Sequence, residues 1–227
     1  MLLAIDTATR LMSIALHDGN RLLAEQTLHV NREHSVLLAP TVKKMMQTCT
    51  VELTQLTALA VSIGPGSYSG LRIGVAFAKG MAAVRQLPLV GVSTLDTLAA
   101  GQPFYNTRSA LLAVVQAGRG RIIAQKYRGR KGSWGSKGDP YITTWESLFE
   151  NWEGHGYLTG EISEAGLEAV EAARARDVEV VLMPPAYRLR RAGFLAEEAQ
   201  RRLQKASPED FQPAKLLPIY LKSPDAS

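Results

Sequence analysis

An aspartate closes a short apolar run at the N-terminus: LLAID, Leu2–Asp6, followed by Thr7 and Thr9. A carboxylate at the end of a buried strand can orient a metal-bound water or a nucleotide phosphate. It can equally close a turn by accepting hydrogen bonds from the next backbone amides. A second candidate is SIGPGSYSGLRIGVAFAKG, Ser62–Gly80, which holds five glycines. It reads as a strand end, a glycine loop and a helix, a layout that can receive an anion. Asp6, Thr7, Gly64, Gly66 and Ser67 are therefore the residues of a candidate vestigial nucleotide or anion site. A third candidate is His34, at a helix start, but its i+3 and i+4 positions are Leu37 and Leu38, so no second metal ligand shares its face. No metal site and no catalytic residue is expected. GPGSYSG lacks the GK[ST] ending of a phosphate loop and has GxGxxxG rather than GxGxxG spacing. No nucleophile elbow, HExxH or local cysteine–histidine signature is present.

The helix that follows the loop is unusual. Gly70, Gly74, Ala78 and Ala82 recur every four residues, which places them on one helical face. Each interior glycine costs about 1 kcal/mol relative to alanine. A stripe with almost no side chain lets another backbone approach closely. That backbone belongs either to the chain's own sheet or to a second molecule. The reading preferred on spacing is a surface kept bare for a partner helix. Gly74→Leu is then expected to abolish association and leave the monomer folded.

These residues are positioned by alternating strands and helices. Leu2–Asp6, LMSIALH and RLLAEQTLHV read as a three-stranded meander. Glu33–Thr48 reads as a helix in which Pro40 sits in the first turn or makes a kink. LTALAVSI and LPLVGVS read as buried strands, with a short helix after Ser93 and a linker over Gln102–Thr107. The second half begins again with SALLAVVQAGRGRIIAQKY. At an offset of 109, seven of the 18 positions from Leu2 to Gly19 are identical, which suggests a duplicated unit. Asp6 then matches Val115, so a two-lobed magnesium-nucleotide site would lack a carboxylate on one side. GRKGSWGSKGDP reads as a flexible loop, Glu164–Arg176 and Leu189–Lys205 as helices, and the proline-rich tail as an extended segment. This pattern is that of an α/β protein.

Composition excludes some classes. Of 227 residues, 46% are hydrophobic and 21% charged, enough for one good core or two small ones. A single cysteine, Cys49, rules out an internal disulfide framework and a thiolate zinc site, and fits a reduced, cytoplasmic compartment. No segment reaches membrane-spanning length. The net charge of +5 is a mild basic bias. Seven cations and no acid fall between Arg119 and Lys137, with Trp134 among them. That segment is either a solvated hairpin or a weak contact for RNA phosphates with an indole for stacking.

AIDTATRLMSIAL, REHSVLLAPTV, SIGPGSYSGLRIGVAFAKG, LVGVSTLDTLA and PIYLKSPDA occur in this order along nearly the whole chain. On these landmarks it resembles the TsaB (formerly YeaZ) family, the dimerisation subunits of the bacterial machinery that makes threonylcarbamoyladenosine in tRNA. The resemblance implies an actin and sugar-kinase fold of two lobes built from a duplicated β-rich α/β unit. The lobes would be residues 1–103 and 104–227, with the last long helix and tail crossing back onto the first lobe. It implies a non-catalytic scaffold that binds the catalytic paralogue TsaD, is joined by the ATPase TsaE, and forms a homodimer when TsaD is absent. ATP or magnesium would enter only through partners. The implied docking surface uses the two helices of the first lobe, here with His34, Leu38, Val42, Met45, Gly70, Leu71, Gly74 and Ala78. The runner-up is an ATPase or ATP-dependent phosphotransferase of the same superfamily, with Asp6 acting on magnesium. Two positions depart from the family pattern: Gln116-Ala117-Gly118-Arg119 where many relatives have Asp-Ala-Arg, and Lys222 where arginine is usual.

Overall fold

The computed structural model describes residues 1–31, 33–104 and 109–221. Lys222 and Tyr105–Thr107 of the expected linker lie outside the described residues. The chain divides into two compact units, Met1–Thr97 with Arg190–Tyr220, and Leu98–Leu189 with the last residues.

The first unit is built on β1 (Leu2–Asp6), β2 (Leu11–His17), β3 (Leu22–His29), β4 (Ala58–Ser62) and β5 (Leu89–Val92), in the order β3-β2-β1-β4-β5. β1 pairs antiparallel with β2, Leu2 opposite His17, and parallel with β4, Leu2 opposite Ala58. Side chains alternate across β1. Leu3 and Ile5 face one way and join α1 (His34–Thr48) and α2 (Tyr68–Arg85) in a core with Leu38, Val42, Met45, Met46, Val75 and Ala78. Leu2 and Ala4 face the other way, where Ala15, Ala58 and Ala60 meet Ala192, Leu195, Ala196 and Ala199. These last four lie on α6 (Ala192–Leu203). Small residues on both partners let α6 lie close to the sheet, so the C-terminal helix completes the first unit.

The start of α6 is fastened at successive residues. Arg191 pairs with Glu25, the Ala192 N–H donates to Ser13 Oγ at 2.9 Å, and the Gly193 N–H donates to Glu25 Oε1 at 2.7 Å. A carboxylate at this helix end also suits the helix dipole. Near its C-terminus, Glu198 accepts from Arg201 and Arg202. Burial pushes the Glu198 carboxyl up, and these arginines outweigh it, so the group titrates below the ordinary glutamate range. A lowered carboxylate contributes stability above its unfolded value, and that contribution is lost as the pH falls through the folded one. We expect Glu198→Gln to be less stable than the parent at pH 7, with the gap closing below about pH 4.5, by denaturant melts across that range. A gap that persists or widens in acid would contradict the assignment.

The second unit repeats the plan. Its strands are β6 (Ala110–Gly118), β7 (Arg121–Arg130), β8 (Ser133–Thr143), β9 (Gly156–Gly160) and β10 (Val180–Leu182), in the order β10-β9-β6-β7-β8. Read from β8, this is the order of the first sheet, again with three antiparallel strands and two parallel ones. The duplicated arrangement agrees with the actin and sugar-kinase fold that the resemblance implies. The hairpins differ by one residue: Leu2 faces His17, while Leu111 faces Tyr127. The core lies between this sheet and α4 (Trp145–Glu150) and α5 (Glu164–Arg174). The α3 helix is Thr94–Ala100.

Two local expectations change. Pro40 lies in the second turn of a continuous α1, not the first, close to where the Thr41 hydroxyl donates to the Leu37 carbonyl. The expected loop GRKGSWGSKGDP is mostly β8. Lys131 and Gly132 both have positive φ, +49° and +80°, and so make the two-residue turn that a right-twisted hairpin favours. The glycines read as flexibility are turn and edge-strand residues.

Candidate functional site

Asp6 ends β1 and is 1% exposed, as is Arg190, which reaches it from just before α6. The Arg190 Nε–H donates to Asp6 Oδ2 at 3.1 Å, and Nη2 donates to Thr9 Oγ1 at 2.6 Å. Asp6 Oδ1 also accepts from the Ala8 N–H at 2.9 Å, closing the turn. The carboxylate is thus neutralised by a guanidinium distant in sequence. A fixed cation at this point opposes a second one, so these residues do not fit magnesium-nucleotide chemistry. The Arg190 pair therefore counts against the runner-up, in which Asp6 acts on magnesium.

The glycine loop is closed by its own chain. A Cβ on Gly66 would lie 2.1 Å from the Ala8 carbonyl oxygen, and the Ser67 N–H donates to that oxygen at 2.6 Å. A Cβ on Gly64 would lie 2.6 Å from the Ile219 carbonyl oxygen of the tail, whose N–H donates to the Ile63 carbonyl at 2.7 Å. Ser67 caps α2 by accepting from the Gly70 N–H. The Thr7 hydroxyl donates to the Gly70 carbonyl at 2.7 Å. All five residues of the candidate anion site are therefore engaged in the packing of the first unit.

The small-residue stripe has the same explanation. A Cβ on Gly70 would meet the Thr7 carbonyl oxygen at 2.2 Å, and one on Gly74 would meet Thr7 Oγ1 at 2.2 Å. The face kept bare is covered by the turn after β1, and Ala78 and Ala82 continue it into the core. The expectation of a stripe open to a partner is thus corrected. His34, Leu38, Val42, Met45, Gly70, Leu71, Gly74 and Ala78 are all buried within the unit. Val42 alone among them lines the open groove described next. His34 Nε2 finds no hydrogen-bond partner among the described residues.

The outer faces of α1 and α2 are different in character. Between them and the turn after α1 runs a groove of about 670 Å³, lined by Ala39, Val42, Lys43, Met46, Gln47, Thr50, Val51, Glu52, Leu53, Phe77 and Met81. The same two helices also carry apolar side chains open to solvent outside that lining: Val36 is 70% exposed and Val84 83%. Val36, Ala39 and Lys43 follow one helical row, and Phe77, Met81 and Val84 another. Their spacing overlaps that of the core-facing rows, so the sequence does not separate this face from the buried one.

In the second unit, Glu161 follows β9. It accepts from the Gln116 N–H at 3.1 Å, and its carbonyl accepts from the Gln116 side chain at 2.8 Å. Nothing in their spacing, 45 positions apart, points to this pairing. Trp134 is not open for base stacking, because its Nε1–H donates to the Pro103 carbonyl at 3.2 Å and its ring packs edge-on against Phe104 and Tyr157. The basic residues also do not form one patch. Arg119 sits at one end of the β7 hairpins and Arg130 and Lys131 at the other, roughly 30 Å apart for a ten-residue strand. Lys126 pairs with Glu153.

Residues 22–211 match the family described as TsaD: tRNA N6-adenosine threonylcarbamoyltransferase. The chain is 40% identical over 134 residues to the tRNA threonylcarbamoyladenosine biosynthesis protein TsaB of Escherichia coli (strain K12), covering 59% of this chain and 58% of that one. It is 34% identical over 131 residues to the protein of that name from Bacillus subtilis (strain 168), covering 58% and 56%. These alignments span less than two thirds of the length of either relative. The solved structure of YeaZ from Pseudomonas aeruginosa superposes with a TM-score of 0.75 at 25% identity, over 97% of this chain and 99% of that one. The chain belongs to the TsaB (YeaZ) family. Asp6 is locked by Arg190 and His34 is buried, at the positions where chemistry would first be sought. Among the described residues no three His, Cys, Asp or Glu side chains gather as a metal site, and no helix is long and apolar enough to cross a membrane.

Proposed function

We propose that this chain is a non-catalytic scaffold of the tRNA threonylcarbamoyladenosine pathway, binding and activating a TsaD-related partner through the outer faces of α1 and α2. The observation that carries this reading is the solvent-open apolar groove on those helices, in a chain whose strand-end carboxylate is already bound by Arg190. The groove presents Met46, Met81 and Phe77 among Lys43, Gln47, Thr50 and Glu52. Methionine and phenylalanine are enriched at interfaces, and methionine adapts to a partner's shape. The groove can also receive a second copy of the chain, giving a homodimer when the partner is absent. TsaE would join the assembled pair, and ATP would enter through the partners. This reading puts the chain in the cytoplasm, with tRNA. The alternative of ATP-dependent phosphotransfer through Asp6 is disfavoured by the Arg190 pair.

Val84→Asp and Val36→Asp test the docking face. Each places a charge where the interface would be dry, and is expected to weaken association roughly 30-fold or more. Each should leave the melting of the isolated chain almost unchanged, since exposed substitutions shift stability by about 0.5 kcal/mol or less. Co-purification with the TsaD-related partner at parental yield would place the interface elsewhere.

A further inference from the structure

The N-terminal end of α2 and the tail form a second exposed surface, apart from the groove. Tyr68 is 60% exposed and Tyr220 45%, with ring centroids 5.1 Å apart and planes inclined by 39°. Arg72, one turn along α2, lies over the Tyr68 ring at 4.9 Å and donates from Nη1 to the Tyr68 hydroxyl at 2.5 Å. The tail is pinned here by the Ile219 N–H to the Ile63 carbonyl, and Leu217 stands open beside it. The Arg72 guanidinium is tied to Tyr68 and the two rings lie against each other, yet both tyrosines remain largely exposed.

The charge around this corner is mostly positive; the turn bonded to Gly64 through Thr94 leads to Asp96, which pairs with Arg202. The segments that meet here, Thr7–Arg10, Ser62–Arg85 and Gln212–Tyr220, contain no aspartate or glutamate. Arg10, Arg72 and Lys215 are exposed, and none of them forms an ion pair among the described residues. Asp6, the carboxylate nearest in sequence, is neutralised by Arg190. Exposed aromatic rings interleaved with unpaired cations suit unstacked bases and their phosphates.

We propose that the Tyr68–Arg72–Tyr220 corner binds single-stranded RNA, with the tyrosines stacking on unpaired bases and the arginines and lysine meeting the backbone. The scaffold reading above only motivates RNA as the ligand, and the test does not require the partner.

The full-length isolated chain is titrated against a fluorescein-labelled RNA stem–loop, and against a blunt duplex of the same composition, at low and moderate salt. The stem–loop is expected to bind more tightly than the duplex. Tyr68→Ala and Tyr220→Ala should each weaken binding about tenfold, the scale of one lost base stack. Tyr68→Phe should retain it. Arg72→Ala should weaken binding and lower the slope of log affinity against log salt by about 0.7, the release expected for one phosphate contact on a single strand. Arg130→Ala, on the hairpin of the second unit, should change nothing. Thermal melts identify any variant that fails to fold, and Arg72→Ala, an exposed change, keeps the test decisive in that case.

No binding by the parent chain at low salt, or equal binding by all three alanine variants, overturns the proposal. If Tyr220→Ala instead releases the TsaD-related partner while RNA binding is unchanged, the corner belongs to a protein interface. If the Val84→Asp test fails while RNA binding follows the pattern above, the docking reading falls and this one stands.

Discussion

Arg190→Ala is expected to cost about 3–5 kcal/mol of unfolding free energy, the usual consequence of leaving one member of a buried ion pair alone. For a chain of this size that is roughly 6–20 °C in Tm. Both side chains are 1% exposed, so water cannot replace the guanidinium. The loss extends beyond the pair. Arg190 ties the turn after β1 to the residue that leads into α6, next to the bonds that Ala192 and Gly193 make with Ser13 and Glu25. Hydrogen exchange should therefore rise first in β1, β2 and α6. A double replacement by apolar residues, Asp6→Leu with Arg190→Met, should recover much of the loss, because a buried pair is often no better than well-packed hydrophobic groups. A change of less than about 1 kcal/mol in Arg190→Ala would mean that the pair does not hold the helix.

The second large effect concerns one substitution made twice on α2. Gly70→Ala puts a methyl group 2.2 Å from the Thr7 carbonyl oxygen, a backbone atom fixed by the strand before it. The helix must move off the sheet, at a cost of about 1–3 kcal/mol or more. Alanine's gain in helix propensity, about 1 kcal/mol, does not offset this. Gly80→Ala adds the same methyl to the same helix, where nothing lies within 4 Å. It should stabilise by about 0.5–1 kcal/mol. Opposite signs from chemical denaturation would confirm the close approach, and equal signs would refute it. Gly74→Leu follows the first case. It drives a side chain into Thr7, and we expect an unfolded or aggregated chain in place of the folded monomer that spacing alone suggests.

The sequence legibly carried the larger elements. The short apolar run in LLAID, an apolar period of three and four from His34 to Thr48, and the return of a strand pair 109 residues on are local patterns. They appear as β1, α1 and the start of the second sheet. The turn Lys131–Gly132 was equally local, but it was masked by the other glycines around it, which made a hairpin resemble a loop.

What covers each face was a different question, and sequence spacing could not answer it. Gly70, Gly74, Ala78 and Ala82 show that something comes close to α2, because only a small side chain permits it. That the close neighbour is Thr7 depends on β1 lying beside β4, a pairing between residues 56 positions apart. The Asp6–Arg190 pair joins residues 184 positions apart, and the tail reaches Gly64 across a similar distance. Such contacts leave no periodicity, because each is made once, by a single atom, and only after the sheet has formed. By itself the sequence determined which helices and strands exist and that one helical face must be bare. The tertiary structure decided that the bare face is inside, that the charge at the strand end is already met, and that the apolar face left to solvent is the opposite one.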